Sequence, residues 1–322
     1  MDRVIDERDR KILSELDKNA RQTDSEIAKK VGISKQLVNY RIQKLVERGI
    51  ITNFYTLVNI GNFSLNSYYL FIQLENINKE QEKKLLEKID SLDSVGWLVS
   101  GMGRWDAVVL INTKSILEFE KSLNQIVNLC GNHLHEHIFT TLIGAEHLNY
   151  KFLQAKETHS IKQTEKAQEL KLDKTDQKIL QTISQNARMP ITELAEKAKI
   201  PLHVASYHLK QLIKNKTIEG FKPKLNIGKL GYQWHLLLIQ FQKLNDKRKQ
   251  EFLEFCRNNK AIYYVTNTIG NYNVMLDMHV KSVEEFKEVL LEIKDKFSDI
   301  IKVYESMIIF DEYKINYLPR MN

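Results

Sequence analysis

Lys35, Gln36, Asn39, Tyr40, Arg41 and Lys44 crowd one short segment with cations, amides and an aromatic ring. Lysine and arginine neutralise phosphates or pair with guanine, and glutamine and asparagine can pair with the edge of adenine. A second segment offers His203, Ser206, Tyr207, His208 and Lys210. A third cluster, His133, His135 and His137 near Cys130, has metal-ligating chemistry. On a strand these imidazoles share one face but stand roughly 6.5–7 Å apart, too far for one ion without a bulge. An exposed polar strand is the favoured reading, and neither a metal ligand nor a cofactor is predicted. No nucleophile triad, phosphate loop, dinucleotide glycine fingerprint or HExxH pair is present.

Helical periodicity must place the first segment. Ile12, Leu13, Leu16 and Ala20 predict a helix from Asp6 to about Asn19. Thr23-Asp24-Ser25-Glu26 reads as a capping box opening a second helix to about Val31. Gly32 permits a left-handed turn, and Ser34 caps a third helix from about Lys35 to Arg48. Val38, Ile42 and Leu45 form its buried stripe, leaving the cations and amides on other faces. Gly49 ends the helix, and Ile50 to Phe54 is extended, as one edge of a wing. Short helix, glycine turn and longer basic helix is the logic of a helix-turn-helix.

Another rhythm follows. Tyr68–Leu74, Val95–Ser100, Ala107–Asn112 and His135–Ile143 are expected strands, with helices from Asn78 and from a capping box at Ser115-Ile116-Leu117-Glu118. The order βαββαβ predicts a ferredoxin-like sheet with both helices on one face. Its other face needs cover.

The chain then repeats itself at a constant offset. Asp6-x-x-Asp9-x-x-Ile12-Leu13 returns as Asp173-x-x-Asp176-x-x-Ile179-Leu180, Asn19-Ala20-Arg21 as Asn186-Ala187-Arg188, and Gly103 as Gly270. This is a duplicated module and not a solenoid unit, which spans about 20–50 residues. The expected domains are a winged helix-turn-helix over 1–62, a βαββαβ domain over 63–153, a connector over 154–171, then the pair again over 172–229 and 230–322. The connector is rich in Lys, Glu, Gln and Thr, and reads as a tether or an exposed helix. As a coil it reaches roughly 20–25 Å, enough for the two modules to pair within one chain.

Composition agrees with this architecture. The 322 residues carry a net charge of +7 with pI near 9.0, which suits a polyanionic partner. Two cysteines, one per half, imply no disulfide framework, and apolar runs are strand-sized, so a soluble protein of a reducing cytoplasm is expected.

Each copy resembles the Lrp/AsnC (feast/famine) transcription regulators through these motifs together with Glu26-Ile27-Ala28, Gly32-Ile33-Ser34, Val38-x-x-Arg41-Ile42-x-x-Leu45, Gly49-Ile50-Ile51 and Gly103-Arg104-Trp105-Asp106. The resemblance implies an α+β fold, a winged helix-turn-helix followed by a βαββαβ effector domain, and sequence-specific binding of double-stranded DNA in transcription regulation. It implies paired effector domains, further homo-oligomers, and a small-molecule effector such as an amino acid near Gly101, Gly103, Trp105 and Asp106, or Gly270, Tyr272 and Asn273. Siroheme decarboxylases resemble the same family, so a tetrapyrrole enzyme is the competing expectation, and a metal-responsive regulator at the histidines a third.

The copies diverge. Gly32 becomes Lys199, Ser34 Pro201, Arg41 His208, Gly49 Lys216 and Asp106 Asn273. Exchanging a permanent cation for imidazole at position 208 predicts that the first reader dominates DNA affinity.

Overall fold

The computed structural model describes residues 4–153, 160–164, 172–184, 186–243, 245–316 and 318. The connector falls largely outside the described residues, apart from a short strand noted below. Contacts divide the chain into two compact units, and each gathers the same domain type from both copies.

The first unit comprises residues 1–59, 147–162 and 171–232. Its first copy holds α1 (Glu7–Lys18), α2 (Asp24–Val31), α3 (Lys35–Glu47) and strand β1 (Ile51–Val58). Capping decides where these helices start. Asp6 accepts from Asp9 N while Asp9 accepts from Asp6 N, and Thr23 and Glu26 do the same for α2. Gly32 ends α2 at φ +75°, and Ser34 caps α3 through Leu37 N at 3.2 Å. Ile12, Leu13, Leu16, Ile27, Val38 and Leu45 are almost fully buried, so the predicted stripes form the bundle core.

β1 corrects the expected wing. It does not fold back on its own copy, because its hydrogen bonds go to the equivalent strand of the second. Ile51 faces Leu225 and Val58 faces Ile218 in a two-stranded antiparallel ribbon. A lone strand leaves a row of backbone donors and acceptors unpaired, and the duplicate supplies the complement.

The second unit comprises residues 60–146, 163–170 and 233–322. The first copy contributes β2 (Asn66–Leu74), α4 (Lys79–Asp90), β3 (Val95–Gly103), β4 (Ala107–Thr113), α5 (Ile116–Cys130) and β5 (Leu134–His147), and the short β6 (Ile161–Thr164) joins the sheet beside β5. Back in the first unit, the second copy provides α6 (Lys174–Ile183), α7 (Ile191–Ala198), α8 (Leu202–Lys214) and β7 (Ile218–Leu225), the ribbon partner of β1. The second unit is completed by β8 (Gln233–Phe241), α9 (Asp246–Asn258), β9 (Ile262–Gly270), β10 (Val274–Val280), α10 (Val283–Phe297) and β11 (Ile301–Ile315).

Each sheet has the βαββαβ order expected, β5-β2-β4-β3 and β11-β8-β10-β9. The two do more than cover each other. β3 pairs with β11 and β9 with β5, so eight strands close on themselves and the four edges vanish. Between sheet and helices of the first copy lies an apolar core of Leu70, Ile72, Leu86, Ile89, Val109, Phe119 and Ile126.

Two local expectations need correcting. Residues 147–153 were grouped with the first βαββαβ domain but pack in the helical unit: Tyr150 N donates to Asp17 Oδ2 at 2.8 Å, and Phe152 stacks on Tyr232 with centroids 4.3 Å apart. At Ser115 only half a capping box forms, since Glu118 accepts from Lys114 N and not from Ser115 N.

Candidate nucleic-acid interface

In both copies a short helix, a left-handed turn and a longer helix present one polar face. The turn survives divergence: Lys199 replaces Gly32 but keeps φ at +55°, and Lys216 replaces Gly49 at +59°. Non-glycine residues in this region cost about 1 kcal/mol or more, and backbone bonds from Lys199 N to Glu196 O, Ile200 N to Ala195 O and Lys216 N to Ile213 O accompany it.

On α3, Lys35, Gln36, Asn39, Tyr40 and Lys44 are exposed, Tyr40 by 56%. Asn39 donates to Asp24 Oδ2 at 2.9 Å, and Lys44 pairs with Glu47 at 2.7 Å, which raises the lysine pKa. On α8, His203, Tyr207 and Lys210 are exposed and Ser206 is half-buried. Lys210, Lys214 and the adjoining Lys216 form no ion pair among the described residues.

Arg41 and His208 are placed differently from the sequence reading. Arg41 Nη1 bridges Asp6 Oδ2 and Asp9 Oδ1, both at 2.7 Å, and so ties α3 to the start of α1. Burial alone would lower its pKa, but the two carboxylates more than offset this and raise it. His208 Nδ1 lies 2.8 Å from Asp176 Oδ1 in the equivalent corner. These residues fasten α3 and α8 to the starts of α1 and α6. The periodicity could not reveal this, because a long arginine one turn from the stripe reaches either way.

What joins the two readers had no assigned role in the sequence. Arg21 Nη1 donates to the carbonyls of Ala187 and Met189 at 2.7 and 2.8 Å, and Arg188 Nη1 donates back to Ala20 and Gln22 at 2.7 and 3.0 Å. Ala20 N donates to Phe221 O and Ala187 N to Phe54 O, each at 2.9 Å. The repeated Asn-Ala-Arg motif was the available signal, since its arginine belongs to neither the apolar stripes nor the basic face.

A one-sided contact accompanies this exchange. Lys222 Nζ meets Asp17 Oδ1 at 3.0 Å with both side chains almost completely buried. His147 is buried nearby, and burial first, then the Lys222 charge, holds its pKa well below the usual range. Asp17 and Lys222 lie 205 residues apart and leave no pattern in the sequence.

The predicted effector residues lie in the second unit, where the structure brings the two turns together. Trp105 Nε1 donates to Tyr272 Oη at 2.8 Å across 167 residues, the offset of the repeat. Tyr272 Oη donates to Glu305, and Arg104 lies 4.9 Å over the Trp105 ring. Both aromatic residues are buried. The glycines serve strand closure: a Cβ on Gly101 would stand 2.1 Å from Ile308 O, and one on Gly103 2.5 Å from Ser306 O. Gly270 has φ +132° and runs close to Phe139 O. Asp106 Oδ2 accepts from Leu74 N at 2.7 Å, and Asn273 Oδ1 accepts the equivalent Phe241 N at 2.8 Å. The lost charge at 273 therefore leaves the bond intact.

The histidine cluster is not one strand face. His133 belongs to a 3-10 turn before β5 and approaches Glu75 O, while His135 faces the Glu75 carboxylate at 3.3 Å. Among the described residues these three imidazoles do not converge on one point. Among the described residues no helix is long and apolar enough to cross a membrane.

Comparison with known proteins gives the arrangement its context. Residues 5–52 and 172–219 each match the winged helix-turn-helix DNA-binding family. The HTH-type transcriptional regulator Ptr1 of Methanocaldococcus jannaschii is 33% identical over 132 residues, 40% of this chain and 88% of that protein. The HTH-type transcriptional regulator LysM of Saccharolobus solfataricus is 28% identical over 127 residues, 39% of this chain and 87% of that protein. The crystal structure of the siroheme decarboxylase NirDL superposes with a TM-score of 0.64 over 98% of this chain and 95% of that one, at 14% identity. That likeness is one of fold.

Proposed function

The chain belongs to the Lrp/AsnC family of helix-turn-helix transcription regulators, as a tandem duplication of the whole module, and from that premise we propose how its two readers share the work. It is a DNA-binding regulator of transcription. The finer reading is that α3 and α8 both enter the major groove of one double-stranded site. Lys35, Gln36, Asn39, Tyr40 and Lys44 act on one half-site, and His203, Ser206, Tyr207 and Lys210 on the other. Arg41 and His208 set the helices that carry them.

The observation that carries this reading is the exposure of two polar, cationic helices, α3 and α8, on helix-turn-helix copies that reciprocal arginine bonds join within one chain. The pairing of charges also moves the expected asymmetry. In the first reader Arg41 and Lys44 are engaged with carboxylates, whereas Lys210, Lys214 and Lys216 of the second have no ion pair among the described residues. The second reader therefore carries at least as much phosphate neutralisation as the first, and the first offers more amide groups for base reading.

Salt titration of a footprinted site tests this division. Replacing Lys210 and Lys214 together by alanine should flatten the slope of log K against log salt by about 1.8, and Lys35→Ala by about 0.9. An unchanged slope in the double variant would remove α8 from the DNA. Protections should recur about 10–10.5 base pairs apart or at a multiple.

Response to a small molecule such as an amino acid is a further part of the proposal and rests on family likeness. Entry at the glycine turns would require Trp105 or Tyr272 to move, and DNA affinities measured with each amino acid in turn test it. Catalysis on a tetrapyrrole is not part of the proposal, since the likeness to the decarboxylase concerns fold. Tight siroheme binding by a chain with no DNA affinity would reverse that choice.

A further inference from the structure

The duplication supplies an internal comparison at the back of each reading helix. In the first copy, the capping box of α1 uses one oxygen of each aspartate: Asp6 Oδ1 takes Asp9 N, and Asp9 Oδ2 takes Asp6 N. The remaining pair, Asp6 Oδ2 and Asp9 Oδ1, converges on the Arg41 guanidinium. In the second copy the box is the same. Asp173 Oδ1 takes Thr175 N and Asp176 N, and Asp176 Oδ2 takes Asp173 N. The remaining pair again points at the position of a cation, but His208 stands there and reaches only Asp176 Oδ1. Asp173 Oδ2 has no partner among the described residues.

We propose that Asp173, Asp176 and His208 form a binding site for a first-row divalent transition cation, with Zn2+ as the best fit, in place of the guanidinium that fills the equivalent corner. The ligand atoms already lie within 4.8 Å of one another. Tetrahedral zinc with nitrogen and oxygen ligands near 2.0–2.2 Å separates its ligands by roughly 3.3 Å, so side-chain rotation has to close the widest pair by at most about 1.5 Å and open the His208–Asp176 pair, now 2.8 Å apart, slightly. One imidazole and two carboxylates suit zinc and its neighbours, and a fourth position is left to water. Two ligands come from the start of α6 and one from the middle of α8, so the ion would fasten the second reading helix as Arg41 fastens the first.

The test uses the full chain purified without a histidine tag, titrated with Zn2+ and with Co2+ as a visible-absorption probe. Wild type should take one ion per chain at this site, with tetrahedral Co2+ bands and a higher melting temperature in Zn2+. His208→Arg rebuilds the bridge of the first copy and should fold well while weakening Zn2+ binding at least tenfold and abolishing the melting shift. Asp173→Asn keeps the cap and should also weaken binding. Absence of Zn2+ and Co2+ binding in wild type would overturn the site, as would undiminished binding in His208→Arg or loss of binding in His135→Ala instead. The consequence for DNA rests on the proposed reading by α8: Zn2+ should alter DNA affinity in wild type but not in His208→Arg. Metal binding without that change would retract the role of α8 and leave the site standing.

Discussion

The seams within the two units age differently. In the helical unit most bonds across the seam are reciprocal: Arg21 with Arg188, Ala20 with Ala187, β1 with β7. In the sheet unit strand closure is equally reciprocal, but the side chains at the turns are not, since one copy gives Arg104 and Trp105 and the other Tyr272 and Glu305. Bonds to backbone groups persist because every copy has the same carbonyls and amides. Side-chain pairs need no such identity once both partners are in one chain. A homodimer must set a residue against its own copy at the axis, whereas a fused pair can set acid against base. Asp17 and Lys222 show this freedom inside the helical unit, where the equivalent positions hold Ser184 and Tyr55.

The sharpest way to break the comparison is to remove one partner of that one-sided pair. Lys222→Met leaves Asp17 buried without its cation and should cost about 3–5 kcal/mol in urea unfolding. Combining Asp17→Ser with Lys222→Tyr installs what the other copy carries, and should recover most of the loss. A double variant as unstable as the single would mean that the pair cannot revert to symmetry.

A second one-sided group sits in the sheet unit. Asp277 is buried where the first copy has Leu110, and it accepts from Trp234 Nε1 at 2.8 Å. Desolvation, opposed by that hydrogen bond and reinforced by Glu312, pushes its pKa up to about 7 from 3.8. An acid with a raised folded pKa binds its proton more tightly when folded, so its contribution favours the folded state below pH 3.8. That contribution declines as pH rises from 3.8 to about 7 and is flat above, an upper bound of about 4 kcal/mol. Asp277→Asn should remove this slope from the pH profile of unfolding and raise stability above pH 7. An unchanged profile would place the titration elsewhere.

The reciprocal bonds predict smaller and nearly matched losses. Arg21→Ala and Arg188→Ala should each cost about 2–3 kcal/mol, with Arg188 the worse because it also pairs with Asp24 at 2.7 Å. Equal values by denaturant unfolding would show that the Asp24 contact adds no stability.

Much of this was legible in the residues. The stripe of Val38, Ile42 and Leu45, the caps at Thr23 and Ser34, and the βαββαβ order all depend on neighbours close in sequence. The candidate site was only half legible. Exposure of Lys35, Gln36 and Tyr40 followed from the stripe, but Arg41 lies at its margin, and its partners Asp6 and Asp9 were read only as part of the repeated motif. The turns at Trp105 and Tyr272 were expected to be an effector site only through the family resemblance. The glycines there meet strand backbone: Gly101 and Gly103 run against β11, and Gly270 against β5.

The sequence by itself determined the duplication, the helix-turn-helix and the sheet order, because periodicity, capping and repetition are local or additive. Tertiary structure alone decided which strand edges join, that β1 pairs across copies, and which charges meet at Asp17, Lys222 and His208. Those choices depend on burial and direction in space, and residues separated by 205 positions carry no trace of either until the chain has folded.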